Sequence, residues 1–240
     1  MANLLDICTR ALNEISSLNV PTFIVGNSDD IATQLHALAR KVGDELIRDY
    51  DWQELARTAT VTTVDAVSLY DLEDDYDRIA SDTMWDATQH RRMLGNTTKR
   101  QWAAITNYRI HTQLRYRWRL YRNQIQIEPA ANGVFLFDYE YLSKAYCTSS
   151  GGMDRTDGWA DDTDIPVLPA DLFIHGILYY FQKSNNLPYG DAEAEYDAVI
   201  QSRQGKNTPS AAVDMGAGIC VPSRRGLDRL SLNIPDVIDV

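Results

Sequence analysis

The chain has 240 residues, of which 44% are hydrophobic and 10% aromatic, and 23 Lys and Arg stand against 34 Asp and Glu, a net charge of −11. This composition predicts a soluble, folded protein with one large or two modest domains. The first residues lack a basic region, and charges interrupt every apolar stretch before the roughly 20 residues that a membrane span needs, so we expect neither secretion nor membrane insertion. The cysteines, Cys8, Cys147 and Cys220, are odd in number and far apart, which argues against a disulfide framework or zinc knuckle and favours a reducing compartment.

Two helices are predicted at the start of the chain. Apolar residues recur every three or four positions between residues 3 and 18, and again between residues 31 and 50. Residues 21–26 break the first period, and Ser28 and Asp29 supply N-cap oxygens for the second helix. We expect the two helices to form an antiparallel pair.

The middle of the chain changes to the period of a β-strand. Residues 57–64 are rich in β-branched side chains, residues 65–66 are predicted to form a turn, and residues 67–72 are predicted to return as the partner strand. A short helical turn is expected at residues 102–108. Further strands are predicted at residues 78–80, 84–86, 114–121, 125–127 and 134–142.

The last third of the chain contains three different kinds of segment. Residues 147–164 are too polar to pack and predict a mobile loop. Pro169 stands at a favoured first-turn position of a third helix, and a fourth helix is predicted from about residue 191 to residue 203. Residues 205–240 contain several Pro and Gly and show no period, which predicts an extended arm.

These elements predict an α+β fold. The two early and two late helices bury their apolar stripes against one another as a discontinuous antiparallel helical bundle with an inserted antiparallel β domain and an extended C-terminal arm. The expected boundaries are residues 1–51 and 166–204 for the two halves of the bundle, 52–146 for the inserted β domain, 147–165 for an acidic loop and 205–240 for the arm.

The sequence predicts no catalytic, metal or cofactor site. The four histidines fall in different elements and form no ligand pair, and there is no phosphate-binding loop or nucleophile elbow. One aspartate-rich segment lacks the spacing of a calcium loop and is interpreted as solvated charge. Its members are Asp154, Asp157, Asp161, Asp162 and Asp164. We therefore predict no hydrolytic, transferase or redox activity, and a small enzyme using this segment stays the least favoured alternative.

Opposite charges in adjacent segments are the most informative local feature. Residues 65–86 carry eight acids and one arginine, a net charge of −7, whereas residues 91–125 carry nine basic residues and no acid. Three interpretations are open: pairing of the segments within one sheet, contact with a neighbouring protein, and binding of nucleic acid. The acidic charge of the whole chain makes the third the weakest.

The predicted strand at residues 114–121 alternates basic with apolar or aromatic residues. A nucleic-acid-binding protein would use its arginines on phosphates and its aromatic rings for stacking. Over residues 115–120, alternation sends the arginines and the aromatic or apolar residues to opposite faces, which favours the aromatic residues as sheet core. The residues concerned are Arg115, Arg117, Arg119, Tyr116, Trp118 and Tyr121.

Several ordered patterns resemble one known family. They are Tyr50-Asp51-Trp52 after the second helix, Leu69-Tyr70-Asp71-Leu72-x-x-Asp75-Tyr76-x-Arg78-Ile79, Met84-Trp85-Asp86, Ile125-Gln126-Ile127-Glu128-Pro129, and Asp162-x-Asp164-x-Pro166-x-Leu168-Pro169 before the third helix. Their order over roughly residues 3–205 resembles the head-to-tail adaptor proteins of tailed bacteriophages, and looks most like the adaptor, or tail tubular, protein of short-tailed phages. Glu73 stands where the family usually has proline.

The resemblance implies a structural protein rather than an enzyme. Such adaptors form a ring, most often of about twelve copies, beneath the portal ring, and receive the tail nozzle or tail tube. DNA passes through the lumen without sequence-specific binding, and no cofactor or membrane is involved. The resemblance places the protein in the neck of the virion, after assembly in the host cytoplasm, with the helices as ring wall and portal contact and the β insertion toward the tail.

Two surfaces are expected to serve assembly. Acidic Asp71, Asp74 and Asp75 of one subunit are expected to meet Arg115, Arg117 and Arg119 of the next. The arm is expected to dock on the portal or on a neighbouring subunit, and its folding back on its own bundle is the alternative. Its docking residues are Arg224, Arg225, Leu227, Leu230, Leu232, Ile234, Val237 and Ile238.

Overall fold

The computed structural model describes residues 2–15, 21–80, 83–108 and 116–207. Within them the chain is mixed α+β, with five α-helices and antiparallel strands, and the predicted fold class is confirmed at this level. The helices are α1 (Leu4–Asn13), α2 (Asp30–Asp49), α3 (Lys99–Tyr108), α4 (Ala170–Ser184) and α5 (Gly190–Asn207). The strands are β1 (Ala56–Thr62), β2 (Leu69–Asp71), β3 (Tyr76–Ile79), β4 (Trp85–Asp86), β5 (Arg91–Arg92), β6 (Arg117–Tyr121), β7 (Gln124–Glu128), β8 (Leu136–Ser143), β9 (Cys147–Thr148), β10 (Asp154–Arg155) and β11 (Ile165–Pro166).

Helix α4 is the centre of the helical part and packs against α1, α2 and α5. One buried cluster unites α1, α2 and α4, and it includes the fully buried Leu12, Leu35 and Phe173. Burying a side chain of this size stabilises the fold by about 1.5–3 kcal/mol, so each helix is held mainly by its apolar stripe. None of the helices in the described residues is long and apolar enough to cross a bilayer.

The helix starts differ in their caps. Asn3 and Asp6 form a capping box at α1, in which each side chain accepts a hydrogen bond from the backbone of the other residue. Asp29 is the N-cap residue of α2, but its side chain makes no cap hydrogen bond. The predicted N-cap position is therefore correct, but the predicted capping bond is not made, and the Asn27 side chain accepts the Asp29 N–H at 3.0 Å. Helix α1 ends at Asn13, and residues 16–18 of the predicted helix lie outside the described residues.

The strands form two main sheets. One has the order β1-β8-β4-β5, with β3 also on β8, and the other has the order β2-β7-β6. Both sheets contribute to one buried cluster, which includes Phe137 and Tyr139 from the first sheet and Trp118 and Ile125 from the second. The two sheets therefore share a core that is distinct from the helical cluster.

The predicted pairing of residues 57–64 with residues 67–72 is wrong. The turn forms, with Ala66 at φ 61°, but β1 pairs with β8 and β2 pairs with β7. The Ala66 N–H donates to the Ala131 carbonyl at 2.8 Å, and the Tyr70 hydroxyl donates to the Val67 carbonyl at 2.8 Å. These bonds direct the chain out of the first sheet and into the second.

The expectation that residues 147–164 are too polar to pack is also wrong. A small sheet of order β10-β9-β11 forms here, and Cys147, Trp159 and Asp164 are buried. The Trp159 ring packs edge-on against Phe173 of α4 at 5.4 Å. The segment packs because the carboxylates of Asp162 and Asp164 accept hydrogen bonds from the chain itself.

Candidate assembly surfaces

Asp162 connects the start of α1 with the loop that precedes α2. Its carboxylate accepts the backbone N–H groups of Ile24 and Val25, the shortest at 2.8 Å, and its carbonyl accepts the Leu5 N–H at 3.2 Å. Residues 24–25 lead into α2, and Leu5 lies in the first turn of α1. Asp162 therefore satisfies one backbone donor in the first turn of α1 and two in the loop that precedes α2.

Asp164 is completely buried and equally engaged. Its carboxylate accepts the N–H groups of Ala160 and Asp161 at 2.8 and 2.9 Å and a bond from Arg155 at 3.3 Å. Its carbonyl accepts the Leu4 N–H at 3.0 Å. The interpretation of the segment as solvated charge is wrong for Asp162 and Asp164, since both carboxylates form hydrogen bonds within the chain.

The remaining aspartates of the segment also have partners. Asp154 forms an ion pair with Arg57 of β1, Asp161 pairs with Arg155, and the Asp157 carbonyl accepts Arg40. Across the described ranges, no group of three or more His, Cys, Asp or Glu side chains is arranged to hold a metal ion. The geometry of this segment thus supports a structural role.

Arg78, the one arginine of the acidic residues 65–86, joins that part of the chain to the end of α2. It donates to the carbonyls of Ile47 and Tyr50 at 2.9 and 3.1 Å and pairs with the carboxylates of Asp51 and Asp77. A guanidinium at the C-terminus of a helix satisfies its last carbonyls and complements its dipole. The Arg78 in the Leu69–Ile79 pattern thus fixes β3 to the helical part.

The three acidic residues expected at the interface differ in their availability. Asp71 is exposed and accepts a bond from the Gln124 amide at 2.6 Å, and Asp74 is exposed in a turn. Asp75 is half-buried and accepts the Tyr141 hydroxyl at 2.8 Å, and burial and this carboxylate raise the pKa of Tyr141. Asp75 is therefore committed within the subunit, whereas Asp71 and Asp74 face outward.

The basic strand β6 separates its side chains as expected. Trp118 is buried in the sheet core, whereas Arg117 and Arg119 are only half-buried. The Arg119 guanidinium lies over the rings of Trp102 and Tyr121, at 4.4 and 4.8 Å from their centres, and its Nε donates to Gln126. Arg115 lies outside the described residues.

The acidic and basic strands lie in the same sheet. β2 and β6 flank β7, which places Leu69 and Arg119 on either side of Gln126. Strands two apart in a sheet are separated by roughly 10 Å. Opposite charges within one subunit therefore partly balance each other, and their meeting between subunits stays a prediction.

Two features of the surface were not predicted from the sequence. A cleft of about 440 Å³ lies between α2 and β3, lined by both charge signs, including Arg40, Asp44 and Lys144. At the far end of β1 and β8, Val64 and Val134 are 57% and 72% exposed. Val64 follows Thr63 and Val134 precedes Phe135, and these two neighbours are bonded to each other, so an apolar tip ends the first sheet.

The docking residues expected in the arm all lie outside the described residues, from Arg224 to Ile238. The last described residue, Asn207, is tied to the start of the β region. Its carboxamide oxygen accepts the Gln53 N–H at 2.9 Å, its carbonyl accepts the Gln53 side chain at 2.6 Å, and its amide group donates to Glu54. The chain therefore leaves the described fold beside β1.

Comparison with known proteins gives one family. Residues 2–216 match the family model described as SU10 adaptor protein, which is nearly the whole chain. The search of curated proteins finds no significant match. The matched range includes every described element, from the capping box of α1 to the end of α5. An adaptor is a structural protein, which fits the head-to-tail adaptor resemblance of the sequence.

Proposed function

Because the chain belongs to the SU10 adaptor protein family, we propose that it joins the capsid of a tailed bacteriophage to its tail. Family membership over residues 2–216 is the observation that carries this proposal. The protein attaches beneath the portal ring, receives the tail nozzle or tail tube, and catalyses no reaction. It is assembled in the host cytoplasm and remains in the neck of the virion.

The proposed assembly is a closed ring of about twelve copies, in which each subunit repeats one head-to-tail contact. DNA passes through the lumen without sequence-specific binding. The acidic charge of the whole chain suits this passage, since a lumen that bound phosphates tightly would retain the genome.

The subunit is proposed to be a discontinuous helical bundle with an inserted β domain, with the boundaries expected from the sequence. Two observations support this division. α4 packs against α1, α2 and α5, although residues 50–169 separate α2 from α4. The two main sheets share a separate buried cluster. In this arrangement the helices form the ring wall and the portal contact, and the apolar tip at Val64 and Val134 faces the tail.

Neighbouring subunits are proposed to meet through opposite charges. Exposed Asp71 and Asp74, with Asp75 behind them, face the Arg115, Arg117 and Arg119 side chains of the next copy. Charges at the rim of an interface mainly accelerate and orient association. The arm residues from Arg224 to Ile238 are proposed to dock outside their own subunit.

The adaptor function is tested by mixing the purified protein with its cognate portal ring and measuring particle masses. We expect the portal mass to increase by a fixed, whole number of subunits. A portal that gains no mass, together with salt-dependent binding of single-stranded DNA by the isolated protein, would instead support a nucleic-acid-binding protein using residues 91–125.

The charged contact is tested by a graded series at the three arginines. Changing Arg115, Arg117 and Arg119 to Gln should slow ring formation, and changing them to Glu should slow it further, most strongly at low salt. The melting temperature of each variant separates this effect from a loss of fold. Equal assembly rates across the series at low and high salt would rule out the contact.

A further inference from the structure

Strand β1 has one edge that is not covered in the part of the chain that the structure describes. β1 pairs with β8 along all seven of its residues, from Ala56 opposite Leu142 to Thr62 opposite Leu136. In the order of this sheet β1 is terminal, so its second edge meets no described strand. At roughly 3.4 Å per residue this edge is about 24 Å long.

The hydrogen bonds around β8 show which groups of β1 point outward. The Thr63 N–H donates to the Phe135 carbonyl at 2.9 Å, and bonded positions alternate along an antiparallel ladder. The odd residues of β1 therefore bond to β8. The even residues, Ala56, Thr58, Thr60 and Thr62, direct their backbone groups away from β8. Of these, the Ala56 N–H donates to the Gln53 carbonyl.

Among the described residues, β1 shows none of the usual sequence or strand protection against pairing with another strand. Natural sheets protect long edges with lysine, proline, bulges or covering segments. β1 reads Ala-Arg-Thr-Ala-Thr-Val-Thr, contains no proline or lysine, and pairs with β8 in an unbroken register. Its single charged residue, Arg57, is paired with Asp154. An edge of this kind is suited to accept a further strand.

The chain itself carries a segment of matching form. Leu230, Leu232 and Ile234 alternate with Ser231 and Asn233, and no proline interrupts residues 223–234. Asn207, the last described residue, is hydrogen-bonded to Gln53 and Glu54, so the chain leaves the described fold immediately before β1. We infer that residues 230–234 of a neighbouring copy add to the outward edge of β1 as a strand, with Ser231 and Asn233 on the solvent face.

The length of the intervening chain favours a neighbouring copy over the same subunit. The 22 residues from 208 to 229 reach up to about 75 Å when extended. A globular chain of this length is about 45 Å across, so the next subunit lies within reach. A return to the β1 edge of the same subunit would need only a few residues, because the chain leaves the described fold beside that edge. The inference rests on the proposed function for its second copy.

Disulfide trapping in the full chain tests the pairing. All variants carry Cys220→Ser, and Cys8 and Cys147 are buried. One copy carries Thr58→Cys or Thr62→Cys, and the other carries Ser231→Cys, since side chains on one face of adjacent strands lie about 4.5–5.5 Å apart. The control is Glu140→Cys, which is exposed on the same face but one strand further inward, opposite Thr58.

The mixture of single variants should give a disulfide-linked dimer with one or both β1 cysteines and at least tenfold less with the Glu140 control. A variant that carries a β1 cysteine and Ser231→Cys in the same chain is measured alongside. If the disulfide forms only within that chain, the pairing between copies is overturned. If the Glu140 control is trapped equally, or if no variant is trapped, the added strand itself is overturned. Portal binding is measured in the same preparations. Portal binding without trapping refutes this inference alone, whereas trapping without portal binding refutes the adaptor function.

Proline provides an independent check. Thr58→Pro removes one outward N–H and leaves the bonds to β8, because position 58 does not donate to β8. We expect this variant to assemble at least tenfold more weakly, while Thr58→Ala, which keeps the N–H, assembles normally. Equal assembly of the two variants with unchanged melting temperatures would contradict the added strand.

Discussion

Replacing Asp164 by alanine should destabilise the fold strongly. The Asp164 carboxylate is completely buried and accepts two backbone N–H groups, those of Ala160 and Asp161, besides a bond from Arg155. Alanine leaves both N–H groups without a protein acceptor in the interior. The segment that holds Leu4 at the start of α1 then loses its internal support.

The size of the effect follows from the bonds that are lost. A hydrogen bond to a charged group contributes about 1.5–3 kcal/mol, so two lost bonds correspond to roughly 3–6 kcal/mol before any relaxation. With water entering the vacated space, we expect the free energy of unfolding to fall by about 3 kcal/mol. For a chain of this size that fall corresponds to about 6–12 °C in melting temperature.

Urea denaturation followed by tryptophan fluorescence measures this change, since Trp159 is buried within the segment. Asp161→Ala is the matched control, because its side chain is 62% exposed and pairs with Arg155 near the surface. It should cost less than about 1 kcal/mol. Asp164→Asn, which keeps one acceptor oxygen, should fall between the two. A change in unfolding free energy for Asp164→Ala within about 0.5 kcal/mol of the control would refute the stabilising role of the buried Asp164 hydrogen bonds.

Three further predictions concern packing, the helix end and the thiols. Gly43→Ala places a methyl group 2.5–2.8 Å from the Tyr146 ring and should cost about 1–3 kcal/mol in unfolding experiments, whereas Gly205→Ala, with open space around it, should be neutral or stabilising by up to about 1 kcal/mol. Arg78→Ala should lower the unfolding free energy by about 1–2 kcal/mol through the lost helix-end bonds, and Arg48→Ala, whose side chain is 74% exposed, should leave it unchanged; equal effects would contradict this. Burial raises the pKa of both cysteines in the described residues, Cys8 and Cys147, to about 12. In a variant without Cys220, a disulfide reagent at pH 8 should therefore react with these thiols only after unfolding. Rapid labelling of the native protein would count against this.

The positions of the helices were predicted well because each buries a single stripe. Local spacing is sufficient for such a stripe, and α4 indeed buries Leu172, Phe173 and Ile177. The expected pairing of the first two helices was wrong, since α1 and α2 each pack on α4. The partner of β1 was missed because β8 lies more than 70 residues away, and period alone carries no information on pairing over that distance. The turn at residues 65–66 was correct, but it does not lead to a hairpin.

The role of the aspartate-rich segment was missed for a different reason. Composition cannot distinguish an aspartate in water from one that is buried and satisfied by backbone N–H groups, as Asp164 is. The resemblance included Asp162 and Asp164 in a pattern directly before a helix, and this was the available signal. The Tyr146 ring packs closely against both Gly43 and Gly158. This contact was not predictable because Gly43 is far from the other two residues in sequence.

The central claim is that the protein joins the portal to the tail, and electron microscopy of the protein mixed with its cognate portal tests it most directly. The account predicts class averages in which an additional ring, coaxial with the portal and of regular subunit number, lies at one end of the portal with an open lumen. Portal rings that look the same with and without the protein, at concentrations where both are folded, would contradict it.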